Sequence, residues 1–212
     1  MPHIEFSNVG SVPPSPTDEV VITSFTLAEG FSDVYEKGTT IYDIEFKWDY
    51  TGSATSGVIM PMGIAVNPST KQEHISAANI TEDTVFTLSL TGENNTATKT
   101  LSVFFVNPIF AGGVVGATPI ASEILATDKL IRLPISFVHD FVLEDQRSMI
   151  AIPMDSPALT DIQDTIFGLS IINSFSEYEF LSPLDEYGLY RVYIFNAIQN
   201  TMGQNQPLNF IW

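Results

Sequence analysis

Apolar and polar side chains alternate without a break over residues 44–50, and this period of two predicts a β-strand. Successive side chains of a strand point to opposite faces, so Ile44, Phe46, Trp48 and Tyr50 share one face, and the three charged residues between them share the other. A tryptophan in the middle of such a strand presents a large apolar surface, which a second sheet has to cover. The pattern therefore predicts a β-sandwich around Trp48.

A predicted hairpin over residues 85–106 supplies that second sheet. Phe86, Leu88 and Leu90 alternate with polar residues, and a second alternating run follows at 100–105. The segment between the two runs, 92–96, is rich in glycine and asparagine, which is typical of a hairpin turn. We expect the apolar face of this hairpin to pack on Trp48.

Most other apolar runs are short and bounded by Pro, Gly, Asp or Asn, as antiparallel strands commonly are. In the first half they predict strands at 20–27 and 39–50, an irregular strand at 58–66, a turn at 67–72 and a short strand at 75–80. In the second half they predict strands at 130–135, 137–143, 149–153, 166–172, 175–181 and 189–195, the last a central strand because both faces carry bulky side chains. The apolar segment 207–212 is either a final strand or a segment that docks on a partner chain.

These elements give an all-β fold class: an N-terminal β-sandwich followed by a second antiparallel β domain. Prolines 13, 14 and 16 favour an extended chain, so residues 1–19 are predicted to form an N-terminal arm. The sandwich is assigned to 20–108, and the C-terminal β domain to 129–212. Between them, 109–128 is predicted to be a linker with one short helix at 118–128.

Composition limits the classes of partner. The chain has 25 acidic and 8 basic residues and a net charge of −17, which disfavours nucleic acid and anionic membranes as partners. The acidic surplus predicts a self-repelling soluble surface, with carboxylate clusters for calcium as the alternative. Cysteine is absent, which excludes disulfides and thiolate chemistry. No long apolar run suggests a membrane span, and residues 1–10 do not resemble a signal peptide.

Candidate catalytic residues do not form a recognisable constellation. His3, His74 and His139 lack ligand-spaced neighbours, and His139 and Asp140 should face opposite sides of a strand. Gly112 and Gly113 lack the residues that complete a phosphate-binding loop. We therefore expect no enzyme, no catalytic, cofactor-binding or metal-binding residue, and no cofactor.

Acidic residues outside the strands are interpreted as turn and capping residues. Those singled out are Asp155, Asp161, Asp164, Asp185 and Glu186. Paired carboxylates can hydrolyse glycosides, but the sequence places no two of these across a cleft. The spacing of an EF-hand calcium loop is also missing.

The order of short motifs resembles structural proteins of tailed bacteriophages, in which an immunoglobulin-like module precedes a second β domain. The motifs are VITSFT at 21–26, KGTT at 37–40, the Trp48 strand, TVFTLSL at 84–90, KTLSVFFV at 99–106 with Asn107, YGLYRVYIFN at 187–196 and Met202–Gly203. The resemblance covers residues 20–107 and 185–205. The final strand of such proteins commonly alternates Thr and Val, whereas this chain has Leu208–Trp212.

The resemblance implies a non-enzymatic structural component of a phage virion, associated with the tail, baseplate or fibre and assembled in the host cytoplasm. It implies other virion proteins as partners, a homo-oligomer (a trimer by analogy), anchoring by the arm 1–19 and possible attachment to a host-surface glycan. A capsid decoration or head-fibre protein is a related alternative. A carbohydrate-binding module or a β-fold polysaccharide-degrading enzyme is another, with Tyr187, Tyr190 and Tyr193 as candidate sugar contacts. A bacterial surface adhesin module is a third.

Overall fold

The computed structural model describes residues 19–118, 120–180 and 187–212, and this part of the chain is all-β with one short α-helix. Except for Glu19, the predicted arm 1–19 lies outside the described residues. The chain divides into two compact units. The first comprises Met1–Ser32 and Ile41–Val103, and the second comprises Asp33–Thr40 and Phe104–Trp212.

The strands follow one another closely along the chain. In the first half they are β1 (Val21–Leu27), β2 (Val34–Glu36), β3 (Ile41–Thr51), β4 (Ser56–Met60), β5 (Ile64–Val66), β6 (Gln72–Ile80), β7 (Thr84–Thr91) and β8 (Thr96–Val106). In the second half they are β9 (Ile109–Val114), β10 (Asp128–Leu130), β11 (Phe137–Phe141), β12 (Arg147–Pro153), β13 (Asp161–Asp164), β14 (Leu169–Ser170), β15 (Phe175–Phe180), β16 (Tyr190–Phe195) and β17 (Gln206–Ile211). The helix α1 (Ala121–Leu125) lies within the segment predicted to be helical.

The first unit contains two antiparallel sheets. One has the strand order β1-β3-β6, and the other has β8-β7-β4-β5. The predicted hairpin is confirmed: β7 and β8 pair from Thr84↔Val103 to Thr91↔Thr96. The predicted inward face of β3 is confirmed for Ile44, Phe46 and Trp48, which are buried, whereas Tyr50 near the end of the strand is half-buried.

Aromatic rings join the two sheets of the first unit. The ring centroids of Phe46 on β3 and Phe86 on β7 are 4.8 Å apart, and Phe25 on β1 stacks on Phe46 at 5.5 Å. Trp48 is 2% exposed. The core of the first unit therefore lies between two sheets, as the alternation in residues 44–50 predicts.

One prediction for the first unit is wrong. Residues 58–66 do not form a single irregular strand but are divided between β4 and β5, which pair as a hairpin from Gly57↔Val66 to Ile59↔Ile64. Pro61 cannot donate a ladder hydrogen bond, and Gly63 adopts a φ of 66° that favours glycine. These two residues make the turn, so the strand has to reverse there.

The second unit contains a five-stranded and a four-stranded antiparallel sheet. Their strand orders are β10-β9-β12-β16-β15 and β11-β17-β13-β14. A shared core of buried side chains from both sheets includes Ile109, Ile150, Phe141, Leu208 and Phe210. This is a second sandwich. On the opposite face of the five-stranded sheet, Ile124 of α1 packs with side chains from β9, β12 and β16.

Two predictions for the second unit are confirmed. The strand predicted over 189–195 is β16, which pairs with β12 on one side and β15 on the other and is therefore central. Of the two alternatives for the segment 207–212, the strand is correct, since β17 lies between β11 and β13.

Other predictions for the second unit need correction. Residues 109–114, assigned to a linker, form β9. Gly112 and Gly113 lie in this strand, and the side chains of Thr127 and Gln146 pack where a Cβ would be. The strand predicted at 130–135 ends at Leu130. The strand predicted at 166–172 is reduced to β14, and β13 was not predicted.

Candidate functional site

Asp161 and Asp164, interpreted from the sequence as turn residues, lie instead at the two ends of strand β13, and both accept hydrogen bonds from neighbouring groups. Asp161 accepts hydrogen bonds from the hydroxyl of Ser170, the side-chain amide of Gln163 and the backbone N–H of Ile162. The Ser170 hydrogen bond is the main reason that the pKa of Asp161 is lowered. Asp164 Oδ1 accepts from the backbone N–H groups of residues 166 and 167. Asp185 and Glu186 lie outside the described residues.

The three histidines are far apart in the chain and have different surroundings. His3 lies outside the described residues, and His74 is exposed on β6. His139 lies on β11 with 13% of its side chain exposed, and its ring packs edge-on against Phe141 at 4.8 Å. Asp140 beside it is exposed, so the two side chains face opposite sides as predicted.

His139 lines a depression of about 310 Å³ together with Asp128, Asp140 and Gln146. Its Nε2 lies 3.7 Å from Asp128 Oδ2, too far for a hydrogen bond. The nearby Thr127 hydroxyl donates to the carbonyl of Ile124. Burial and, more weakly, Arg132 lower the pKa of His139, while Asp128 and Asp140 oppose the shift. The imidazole is therefore a largely buried side chain that packs on Phe141.

The lowered pKa of His139 gives a pH-dependent stability. The unfolded chain takes up the proton at a pH of about 6.5, before the folded chain does. The stability that neutral His139 contributes is present above that pH and is lost as the pH falls through the folded pKa. We expect wild type to lose more unfolding free energy than His139→Gln between about pH 7.5 and about pH 5.5, measured by urea denaturation. Equal losses in the two proteins would contradict this role.

The three tyrosines considered as sugar contacts differ in accessibility. Tyr190 is completely buried and donates to the carbonyl of Pro108 at 2.8 Å, and burial strongly raises its pKa. Tyr193 is 3% exposed. Tyr187 alone is partly accessible, and it lines a depression of about 450 Å³ with Lys37, Gly38, Asn107 and Gly188. Tyr190 and Tyr193 cannot contact a sugar in this fold.

Two basic residues line a third depression in the second unit, of about 190 Å³. Lys37 follows β2, and Arg132 follows β10. Asp155, Ser156 and Asn107 add polar groups to the same wall. Asp155, interpreted from the sequence as a turn residue, lies here beside the two cations. We call this set of residues the cationic depression.

An exposed apolar hairpin lies at the edge of the four-stranded sheet, between β13 and β14. Ile166, Phe167 and Leu169 are 62%, 73% and 62% exposed. The turn that carries them is well defined, because Asp164 Oδ1 accepts from two of its N–H groups and Gly168 has a φ of 66°. Residues 165–170 contain no charged side chain. We call residues 165–170 the apolar hairpin.

Sequence reasoning missed both features. The apolar hairpin was interpreted as part of a strand because of its apolar content. Asp164 followed by Gly168 is an available turn signal that could have corrected this. No sequence signal pairs Lys37 with Arg132, since the fold alone brings them to one depression.

Within residues 19–118, 120–180 and 187–212, no group of three or more His, Asp or Glu side chains is arranged to hold a metal ion. No helix in this part of the chain is long and apolar enough to cross a membrane. No protein-family model, curated protein or solved structure matches the chain.

Proposed function

We propose that this protein is a non-enzymatic structural component of a phage virion, associated with the tail, baseplate or fibre, that assembles through contacts between copies. The observation that carries the proposal is the apolar hairpin. A contiguous exposed apolar patch is a feature of protein interaction surfaces. The motif series of the sequence adds the virion context.

Strand order supports an immunoglobulin-like first unit. The order β1-β3-β6 matches strands A-B-E of that fold, and β8-β7-β4-β5 matches strands G-F-C-C′. A second sandwich follows in the chain. Consecutive β units of this kind suit a protein that presents a surface in a fixed position, and Asp161 and Asp164 at the ends of β13 accept hydrogen bonds from neighbouring groups.

The apolar hairpin suits a second copy of the chain as its partner. With a net charge of −17, two copies repel each other over most of their surfaces. The hairpin has no charged side chain and offers Phe167, the most exposed aromatic among the described residues. Contact there buries apolar area with little charge repulsion.

Phe167→Ser is expected to weaken self-association. The wild-type protein should elute from size exclusion with a light-scattering mass that is a multiple of 23.3 kDa, and the variant should shift toward the single-chain mass. Tyr42→Ser is the control, since Tyr42 is 62% exposed on β3 in the first unit. A wild-type protein that stays monomeric at all concentrations, or equal behaviour of the two variants, would contradict the assembly role.

The virion assignment itself is tested on particles. Antibody raised against the chain, used in immunogold microscopy of phage particles made by cells that carry its gene, should label the tail, baseplate or fibre. Labelling of the capsid would replace the tail assignment by the decoration or head-fibre alternative. Unlabelled particles beside a labelled cell extract would refute the virion assignment.

A carbohydrate-binding module is the second candidate function, and Tyr187 is the observation that favours it. Its partly exposed ring lines an open depression beside Lys37 and Asn107. The related enzyme alternative predicts turnover of a polysaccharide, which is measured by release of reducing ends. Turnover would overturn the non-enzymatic proposal.

A further inference from the structure

The cationic depression and the depression at Tyr187 adjoin each other. Lys37 and Asn107 line both of them, and all their lining residues belong to the second unit. Because they share these two residues, we treat the two depressions as one site, the recess, with two cations and Asp155 in one part and an aromatic ring in the other. Such a combination of charge and ring is a feature of ligand sites.

The two cations are unusual in this chain. Most of its eight basic residues hold a partner: Lys71 with Asp49, Lys99 with Thr23, Lys129 with Glu36, Arg147 with Asn196 and Arg191 with Glu177. Among the described residues, the side chains of Lys37, Lys47 and Arg132 have no hydrogen bond or ion pair. Two of these three line the cationic depression of about 190 Å³, although acidic residues outnumber basic ones in the chain. An anionic ligand would supply the hydrogen-bond acceptor that neither side chain finds among the described residues.

The site is held in place by the fold. β2 pairs in parallel with the end of β8 from Val34↔Phe104 to Glu36↔Val106, and the N–H of Lys37 continues this pairing by donating to Val106 at 2.9 Å. The Arg132 guanidinium lies 3.9 Å from the centroid of the Phe137 ring. Stacking fixes its plane and leaves its donors for a ligand, since none is hydrogen-bonded within the described chain.

Tyr187 is also positioned before any ligand arrives. The Lys129 ammonium lies 5.5 Å from the centroid of the Tyr187 ring and donates to the phenol oxygen at 3.3 Å. Lys129 is itself positioned by an ion pair with Glu36, in which Nζ and Oε1 are 2.8 Å apart. Phe110 packs on the ring at 5.7 Å. A fixed, partly exposed aromatic ring is a surface on which a pyranose ring can pack through its C–H groups.

We propose that this recess binds an acidic saccharide, a hexuronate residue of a polysaccharide, with its carboxylate at Lys37 and Arg132 and its ring against Tyr187. The Asp155 carboxylate accepts hydrogen bonds from the hydroxyl groups, and the Asn107 amide donates to them or accepts from them. The carboxylate of Asp155 repels a ligand carboxylate, so it favours the orientation that places hydroxyls beside it. The inference rests on the proposed function in one respect: the acidic saccharide is the component of the host surface that the virion protein would bind.

The test is calorimetric titration of the full chain with a trigalacturonate and with a neutral galactose trisaccharide. We expect the trigalacturonate to bind at least about tenfold more tightly, and more weakly as salt increases. Lys37→Gln should lower the affinity for the trigalacturonate at least about tenfold, because a charge-assisted hydrogen bond is lost. Lys47→Gln is the matched control, since this unpartnered lysine is exposed on β3 in the first unit. Tyr187→Ala should lower the affinity for both trisaccharides, whereas Tyr42→Ala should leave both affinities unchanged.

Each opposite result overturns the inference. Absence of trigalacturonate binding, equal affinity for the neutral trisaccharide, or equal losses in Lys37→Gln and Lys47→Gln would do so. Competition by acetate at the same concentration as the sugar would show a site for simple anions instead. Labelled particles without saccharide binding would refute this inference alone, and saccharide binding with unlabelled particles would refute the proposed function alone.

Discussion

Trp48→Ala is expected to lower the free energy of unfolding of the first unit by about 3–5 kcal/mol. The indole is 2% exposed and shares its face of β3 with Phe46, whose ring meets Phe86 of the other sheet. Truncation removes the largest buried side chain of that core and leaves a cavity between two sheets, which cannot collapse without moving a strand.

Urea denaturation followed by circular dichroism measures this loss. Tyr42→Ala is the control, because Tyr42 lies on the same strand but is 62% exposed, and we expect it to change stability by about 0.5 kcal/mol or less. If Trp48→Ala cost no more than Tyr42→Ala, Trp48 would not be part of a closed core, and the sandwich would be wrong.

Phe210→Ala is expected to destabilise the second unit by a similar amount, about 3–5 kcal/mol. Phe210 is completely buried on β17, the strand between β11 and β13. Its ring contacts Phe137 and Phe141 at centroid distances of 5.5 Å and 6.1 Å. The substitution therefore opens a cavity in the core that joins the two sheets of the second unit.

Val138→Ala is the matched control for this variant. Val138 lies on the neighbouring strand opposite Asn209 and is 54% exposed, so its truncation should have a small effect. Thermal unfolding of the three proteins, followed by circular dichroism, gives the comparison. Equal midpoints for wild type and Phe210→Ala would show that 206–211 is not a core strand but a segment lying on the surface.

Alternation of residue type was enough to predict the Trp48 strand and the hairpin opposite it. In both, a strict period of two coincides with one buried face, so local sequence and tertiary environment agree. Bulk on both faces likewise predicted the central position of β16. In these elements the local sequence alone indicates the strand and its environment.

The signal was absent or misleading where tertiary pairing decides the structure. In β13 only Ile162 is apolar, and the strand forms because it pairs with β17. The run 166–172 is apolar but largely exposed, and hydrophobicity alone does not report whether a side chain is buried. Lys37 and Arg132 reach one recess only through the fold, so the candidate site was not predictable.

Hydrogen–deuterium exchange of the wild-type chain, compared between a concentrated and a dilute sample, tests most directly whether the protein assembles through the apolar hairpin. The account predicts that amides within 165–170 exchange more slowly in the concentrated sample. It also predicts that in Phe167→Ser the amide exchange of residues 165–170 is the same at both concentrations. Exchange at 165–170 that is the same at both concentrations, with protection gained elsewhere, would contradict it.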